Sequence, residues 1–353
     1  MGYPALKINL NKLESNTRLL VEKCAAHGIS VSAVTKVFCG IPEIAEAVAK
    51  GGAAYLADSR IENLIKMRHI NLPKVLLRIP MLSQVKEVVE YADISLNSEY
   101  EVIKALSEES QNKGKVHDII LMIDLGDLRE GVWVDDAVDY AGKILELKGI
   151  RLVGIGTNLT CYGAVIPKVD NLSKLVEIAE SIEKKYGTKL SIISGGNSSS
   201  IYLVENGTIP SGINNLRLGE SIVLGNETAY GNRIEGSYND CFTLCAEIIE
   251  LKEKQSVPIG EIGVDAFGNK PTYVDRGIRK RAILAIGKQD VRIDGLTPID
   301  ERIIILGASS DHMIIDVTDS QKNYSIGDIV EFTMDYGALL SATTSDYVNK
   351  VIE

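Results

Sequence analysis

Through the first two-thirds of this 353-residue chain, short apolar runs alternate with segments of helical spacing, and that alternation leaves few folds open. Strand-like runs occur at Val31–Lys36, Tyr55–Asp58, Lys74–Ile79, Ile94–Asn97, Asp118–Leu125, Arg151–Asn158, Ser191–Asn197 and Asn214–Gly219. Between them, IPEIAEAVAKGG ends on a glycine stop, SQVKEVVEYA starts from Ser83, and DNLSKLVEIAESIEKKYG carries apolar residues three and four apart. A further amphipathic segment, NKLESNTRLLVEKCAAHG, predicts a helix ahead of the first strand, with Asn11 as N-cap and Gly28 as stop. Eight strands alternating with helices give the rhythm of an α/β fold, a (β/α)8 TIM barrel. An open doubly wound sheet is the alternative, and eight regular units favour closure.

The rhythm stops after Gly225. NETAYGNRIEGSYND is polar and glycine-rich, as a domain boundary should be. Beyond it come strand-like runs with turns: TLCAEIIELKE, RAILAIG, RIIILGAS, HMIIDVT and IVEFTMDY. The expected organisation is a barrel over 11–228, a C-terminal β domain over 229–353, and residues 1–10 supplying a strand, KINL, that pairs with the β domain. A chain of this length exceeds what one core usually organises, so two domains agree with size alone.

Composition excludes several classes of function. Apolar residues make up 45% and charged residues 24%, with no apolar run of membrane-spanning length. A net charge of −10 without a basic stripe argues against nucleic acid or anionic membrane as partner. The one basic cluster, GIRKR at 277–281, reads as a solvated strand or turn. The N-terminus has neither the basic start nor the apolar core of a signal peptide, and Leu6 breaks the myristoylation pattern. Five scattered cysteines do not form a disulfide framework and fit a reducing cytoplasm. Cys241 and Cys245 lack the further ligands that a structural zinc site requires, so no metal is expected.

A barrel places its chemistry at the carboxyl ends of its strands, often with a phosphate site after the seventh and eighth. Lys36 closes the first strand in SAVTKVFCG: it is either a snorkelling solvent residue or a buried amine able to form a Schiff base with an aldehyde. The seventh strand runs into SGGNSSSIYLVENG, where a glycine pair and hydroxyl residues open a helix whose N–H groups and dipole suit an anion, Ser198 adding a hydroxyl; an ordinary N-cap would look the same. The eighth gives NLRLGES, where Gly219 permits close backbone approach and Arg217 points either at the barrel mouth or into a salt bridge on the floor. Together these describe a phosphate-bearing aldehyde held at strands seven and eight, with its carbon near the first.

SAVTK, IDLGDLREGV, GIGTNLTCYG, SGGNSSS and NLRLGE occur in an order that resembles the alanine racemase family of fold-type III pyridoxal-phosphate enzymes, and PIGEIGVDAFGNKP, RAILAIGKQD, GASSDHMIIDV and IGDIVEF look like that family's C-terminal β domain. The resemblance covers essentially the whole chain. In LLRIPML, DLGDLREG, NLTCYGAVIPK and GEIGVDAFGNKP it is most similar to the branch that racemises ornithine. The resemblance implies pyridoxal 5'-phosphate as cofactor and Lys36 as its covalent anchor and one of two racemising bases. It implies Asn197, Ser198, Gly219 and Glu220 around the phosphate, Arg217 at the pyridine nitrogen, Asn158 beside the ring, Arg129 near the substrate carboxylate, and Tyr336 reaching the phosphate. An arginine keeps its proton, so the pyridine nitrogen stays largely unprotonated and side reactions such as transamination are limited.

Two departures stand out. Where the alanine enzymes carry a phosphate-binding tyrosine shortly after the lysine, this chain has Phe38, Cys39 and Gly40. Where they place a second-base tyrosine after a PxG turn, PIGEIGVDAFG has none, which leaves Glu261, Asp265 or a tyrosine such as Tyr162 for that role. The implied reaction is two-base α-proton transfer through an external aldimine, in a homodimer whose partners each lend Tyr336 and the Ser309–Ser310–Asp311 segment to the other's site. Asp311 is the candidate for holding a distal ammonium, which makes ornithine or lysine the expected substrate, or else Asp311 only orients the interface. Alanine or serine racemisation, a decarboxylase on the same barrel, a non-catalytic cofactor carrier, and a Schiff-base enzyme without pyridoxal phosphate are the rivals.

Overall fold

The computed structural model describes residues 2–265 and 267–353. It divides into two compact units, residues 10–239 and residues 1–9 together with 240–353.

In the first unit β2 (Ser30–Val34), β3 (Tyr55–Asp58), β4 (Lys74–Leu76), β5 (Ile94–Asn97), β6 (His117–Asp124), β8 (Ile150–Gly156), β9 (Ile192–Ser194) and β10 (Asn215–Leu218) pair in parallel, with a short β7 (Val132–Trp133) against β6. The pairing of β5 with β6 and of β10 with β2 closes the eight into a barrel. The strands are buried on both faces, as parallel strands wrapped by helices must be. Inward-facing Val34, Val75, Leu96, Ile120, Met122 and Ile192 fill the interior. At Gly154 the β8 and β9 backbones approach so closely that a Cβ would lie 2.0 Å from the Ile192 carbonyl oxygen. The helix before the barrel spans Leu10–Ala25, so Asn11 lies inside its first turn and is not its cap. Gly28, with φ +71°, closes the turn that follows.

The sequence reading ends this unit at 228, whereas the structure carries it to Asn239. The polar segment is no loose linker. The buried Glu227 carboxylate accepts N–H bonds from Ala229, Tyr230 and Asn232. Buried Asn16, on the first helix, donates to the carbonyls of Ile222 and Tyr238 and accepts from Tyr238 N–H at 2.7 Å.

The second unit is a mostly antiparallel sheet. Its path runs β13 (Leu296–Pro298), β16 (Ile329–Met334), β11 (Phe242–Gln255), β12 (Ile278–Leu284), β15 (Met313–Asp316), β14 (Ile304–Ala308). β1 (Ala5–Ile8) lies antiparallel to β11 and parallel to β17 (Asn349–Ile352). GIRKR falls on β12, but it is not simply solvated: Arg279 pairs with the buried carboxylate of Asp316 at 2.7 Å, and Arg281 donates to Ser256 O. Cys245 is buried and faces Glu331, which pairs with Lys7 at 2.8 Å. Among the described residues no helix is long and apolar enough to cross a membrane.

His117, opening β6, is buried and shares a 2.8 Å hydrogen bond with Ser95 Oγ. Burial pushes its imidazole down to about 4. The unfolded chain therefore binds a proton near pH 6.5 that the folded barrel refuses. Stability is full above that pH and falls as pH drops from about 6.5 to about 4, by about 3 kcal/mol at the lower limit. Urea denaturation at pH 7.5 and 4.5 measures this, and His117→Gln is expected to flatten the dependence; equal slopes for both proteins would refute it.

Candidate active site

Lys36 does not end the strand itself. It opens a one-turn 3-10 helix, Lys36–Phe38, directly after β2, and its side chain is exposed with no hydrogen-bond or ion-pair partner among the described residues. The turn beneath it is tightly held. Thr35 Oγ1 donates to Asp58 Oδ2 at 2.6 Å, and Asp58 Oδ1 accepts from Arg60 N–H at 2.9 Å and Asn63 Nδ2 at 3.1 Å. Asp58 ends β3 and is fully buried; burial raises its carboxyl, against the lowering effect of these donors. The Thr35 carbonyl accepts from Phe38 N–H and Gly40 N–H, and Lys66 Nζ reaches Cys39 O at 2.9 Å. Gly40, at φ +61°, presses on the helix Ile61–Lys66 so closely that a Cβ would meet Asn63 Cβ at 2.7 Å. The exposed Lys36 side chain thus stands on a turn held firmly from below.

Arg217 on β10 is buried in the barrel. Its Nη1 donates to Ser194 Oγ at 2.5 Å and its Nη2 to Thr157 O at 2.7 Å, both neutral acceptors, and among the described residues it has no ion-pair partner. Burial lowers its guanidinium to about 10, while Glu130 and Cys161 support the charge and Arg129 opposes it. At that value it is still a cation at neutral pH. Asn197 Nδ2 donates to Asn158 Oδ1 at 2.7 Å and to Leu159 O at 2.9 Å, and Asn158 Nδ2 contacts Cys161 Sγ at 3.3 Å.

Ser198 opens a three-residue 3-10 turn, Ser198–Ser200, that leads into a helix of only five residues, Ile201–Glu205. The helical segment is therefore short and its dipole weak, and the case for an anion rests mainly on individual donors. Ser198 Oγ takes the N–H groups of Gly219 and Ser221 at 3.2 Å each and lies 3.0 Å from Ser221 Oγ. These contacts are long, and hydroxyls and N–H groups converge there with only a serine oxygen to accept them, which suits a phosphate. A Cβ on Gly219 would stand 3.2 Å from Val34 Cβ, which binds this cradle to the end of β2. Glu220 heads the short helix Glu220–Leu224. Arg129 is exposed in the loop after β6 and paired with Glu130, Nη2 to Oε1 at 2.6 Å.

Tyr162 is exposed in the loop after β8, and the remaining expected residues belong to the second unit. Tyr336 is the half-buried first residue of the helix Tyr336–Thr344, whose N-cap Asp335 accepts from Ala338 N–H at 2.8 Å. Glu261 is exposed and lies in sequence between β11 and β12. Asp265 closes a turn, accepting N–H bonds from Asn269 at 2.8 Å and Phe267 at 2.9 Å, which hold its carboxyl below the ordinary range. Asp311 is exposed and bonded to His312 Nδ1 at 2.8 Å, with Ser309 and Ser310 Oγ nearby.

The alanine racemase N-terminal domain matches residues 8–227. The ornithine racemase of Acetoanaerobium sticklandii is 53% identical over 349 residues, covering 99% of both chains. The chain belongs to the alanine racemase family. The lysine racemase of Thermotoga maritima is another relative, 45% identical across 100% of this chain and 99% of its own. In fold, this family member is similar to the alanine racemase of Clostridium difficile 630, with TM-score 0.78, 18% identity and coverage of 99% and 95%. It is likewise similar to an alanine racemase from Streptomyces lavendulae, with TM-score 0.75, 17% identity and coverage of 99% and 96%.

Within this racemase-family barrel the sequence reading had passed over Thr35, Asp58, Ser194, Ser221 and Asp127. Each lies at or just past the end of a barrel strand, which is the one signal that would have raised it.

Proposed function

We propose that the chain is an amino-acid racemase, an isomerase, that works with pyridoxal 5'-phosphate on a diamino acid, ornithine ahead of lysine. The observation that carries this reading is the 53% identity, end to end, to an ornithine racemase, joined by 45% identity to a lysine racemase. The donor set at Ser198, Gly219 and Ser221 and the unpartnered Lys36 amine fit the cofactor's phosphate and aldehyde. Asn197, Glu220 and Tyr336 would join the phosphate's surroundings, Asn158 would flank the ring, and Arg217 would donate to the ring nitrogen. When bound, the cofactor supplies an electron sink for charge left at the substrate's α-carbon.

The chain's own groups handle binding and protons. Arg129 takes the substrate carboxylate. Lys36 removes or returns the α-proton on one face. Glu261 is the second acid–base on the other, ahead of Asp265, whose carboxylate is less basic because the turn N–H groups stabilise its charge. Asp311, with Ser310 beside it, receives the distal ammonium. The assembly is a homodimer in which Glu261, Ser310, Asp311 and Tyr336 act in the partner's site. Five free cysteines fit a cytoplasmic setting.

Chiral chromatography after incubation of the loaded protein with L-ornithine, L-lysine, L-alanine and L-serine tests the reading. D-ornithine is expected fastest, and Asp311→Asn is expected to cut ornithine turnover about tenfold more than alanine turnover, the loss of one charge-assisted contact. Preference for alanine would discard the diamino substrate. No D-isomer from any of the four would discard the racemase.

A further inference from the structure

Four non-glycine residues among those described have left-handed backbone, and all lie in loops at the C-terminal ends of barrel strands. Cys39 (φ 55°) follows β2, Leu128 (φ 55°) follows β6, and Thr160 (φ 60°) and Ala164 (φ 53°) follow β8. Each such residue costs roughly 1 kcal/mol or more and persists only where its surroundings impose it. For three of the four, the imposing group can be named.

Asp127 is 1% exposed, in the loop between β6 and β7. Its Oδ2 accepts Tyr162 N–H at 2.9 Å and its Oδ1 accepts Val165 N–H at 3.2 Å. The N–H groups of Gly163 and Cys161 also act on this carboxylate; burial pushes it up, but the four donors outweigh burial and hold it below the ordinary range. The β8 loop presses on the same residue through its backbone, since a Cβ on Gly163 would stand 2.7 Å from Asp127 O. Thr160 Oγ1 fastens the far end of the loop to Val165 O at 2.8 Å. On the β6 side, Asp124 Oδ1 holds the N–H groups of Gly126 and Leu128. Two strained loops are therefore laced together by one buried side chain, and they carry Arg129, Asn158 and Cys161.

We propose that Asp127 is a positioning residue: it fixes the β8 loop against the β6 loop and so sets Arg129 and Asn158 at the barrel mouth for the amino-acid substrate. The part concerning substrate rests on the reading of Arg129 as the carboxylate-binding group. The four donors on the Asp127 carboxylate are all backbone N–H groups of the β8 loop, so its removal acts on binding before it acts on turnover.

Asp127→Asn in the cofactor-loaded protein tests this. The amide keeps one acceptor and turns a second donor toward N–H groups, so the loop loses its hold while the barrel core is untouched. Amide hydrogen exchange at 160–165 is expected to quicken about tenfold, KM for L-ornithine to rise about tenfold, and kcat to stay within about threefold. Asp127→Ser, which retains a single acceptor, is the second variant should the first fold poorly, with the same expected direction. Unchanged exchange at 160–165 in a folded variant overturns the clamp. Quickened exchange with unchanged KM, or with kcat falling as far as KM rises, overturns the positioning role. If the unaltered protein racemises nothing, the functional reading fails, yet the exchange comparison still decides whether Asp127 holds the loops.

Discussion

On the function proposed above, Lys36→Ala is expected to lower racemisation by about 10⁴-fold or more, because it would remove both the anchor of the cofactor and one positioned acid–base, which alone is worth about 10²–10⁴-fold. The same change is expected to leave stability within about 0.5 kcal/mol, since the side chain is exposed and has no partner among the described residues to lose. The two results together separate chemistry from folding, which few substitutions at a barrel mouth can do. Chiral product analysis measures the first and thermal unfolding the second. Borohydride reduction followed by peptide mapping should place a pyridoxyl adduct on Lys36 in the parent protein and none in the variant. Retention of more than about a hundredth of the activity would remove Lys36 from the mechanism.

Asp58→Ala is expected to act in the opposite sense, on the fold first. The carboxylate answers three donors, Thr35 Oγ1, Arg60 N–H and Asn63 Nδ2, inside a fully buried site. Leaving them without it costs about 1 kcal/mol or more apiece, so a loss of about 3 kcal/mol follows, or roughly 6–12 °C in Tm for a unit of this size. Asp58→Asn keeps the shape and one acceptor and should lose less than half as much. Thermal melts of the three proteins test this. A melting temperature for Asp58→Ala within about 2 °C of the parent would show that the network under Lys36 is dispensable. Activity should fall in step with how far the Thr35–Gly40 turn loosens.

Much of the architecture was legible because burial imposes periodicity. All eight barrel strands sit within two or three residues of the apolar runs that announced them, since a parallel strand covered on both faces has to be continuously apolar. The β domain was harder. Leu296–Pro298 and Asn349–Ile352 are too short, and the second too polar, to show a period of two. The polar stretch after Gly225 reads as a domain boundary from its composition, and what composition does not report is its internal order, which comes from Glu227 and Asn16 meeting backbone groups near and far in sequence. Asp58, closing a strand, and Asp127, in a loop, escape notice for the same reason: a carboxylate at or beyond a strand end looks solvated until the donors aimed at it are seen. The serine-rich turn does open a helical segment, a 3-10 turn running straight into Ile201–Glu205, and Ser198 also meets the N–H groups of Gly219 and Ser221 on its own.

The second unit is built from both ends of the chain, with β1 hydrogen-bonded between β11 and β17. To that sheet the whole barrel is an insertion of some 230 residues, 10 to 239, in one hairpin-like connection. During synthesis the first strand must wait, unpaired, until β11 emerges beyond the barrel, and its other edge waits longer still for β17. The entropy of closing so long a loop grows only with the logarithm of its length, and a barrel already folded shortens it further. Thermodynamically the arrangement is therefore cheap, while kinetically the sheet forms last and its most distant pairing is the slow event. A circular permutant that opens at 240 and joins the old termini would make β1 and β17 neighbours in sequence, and with them the order of assembly would reverse.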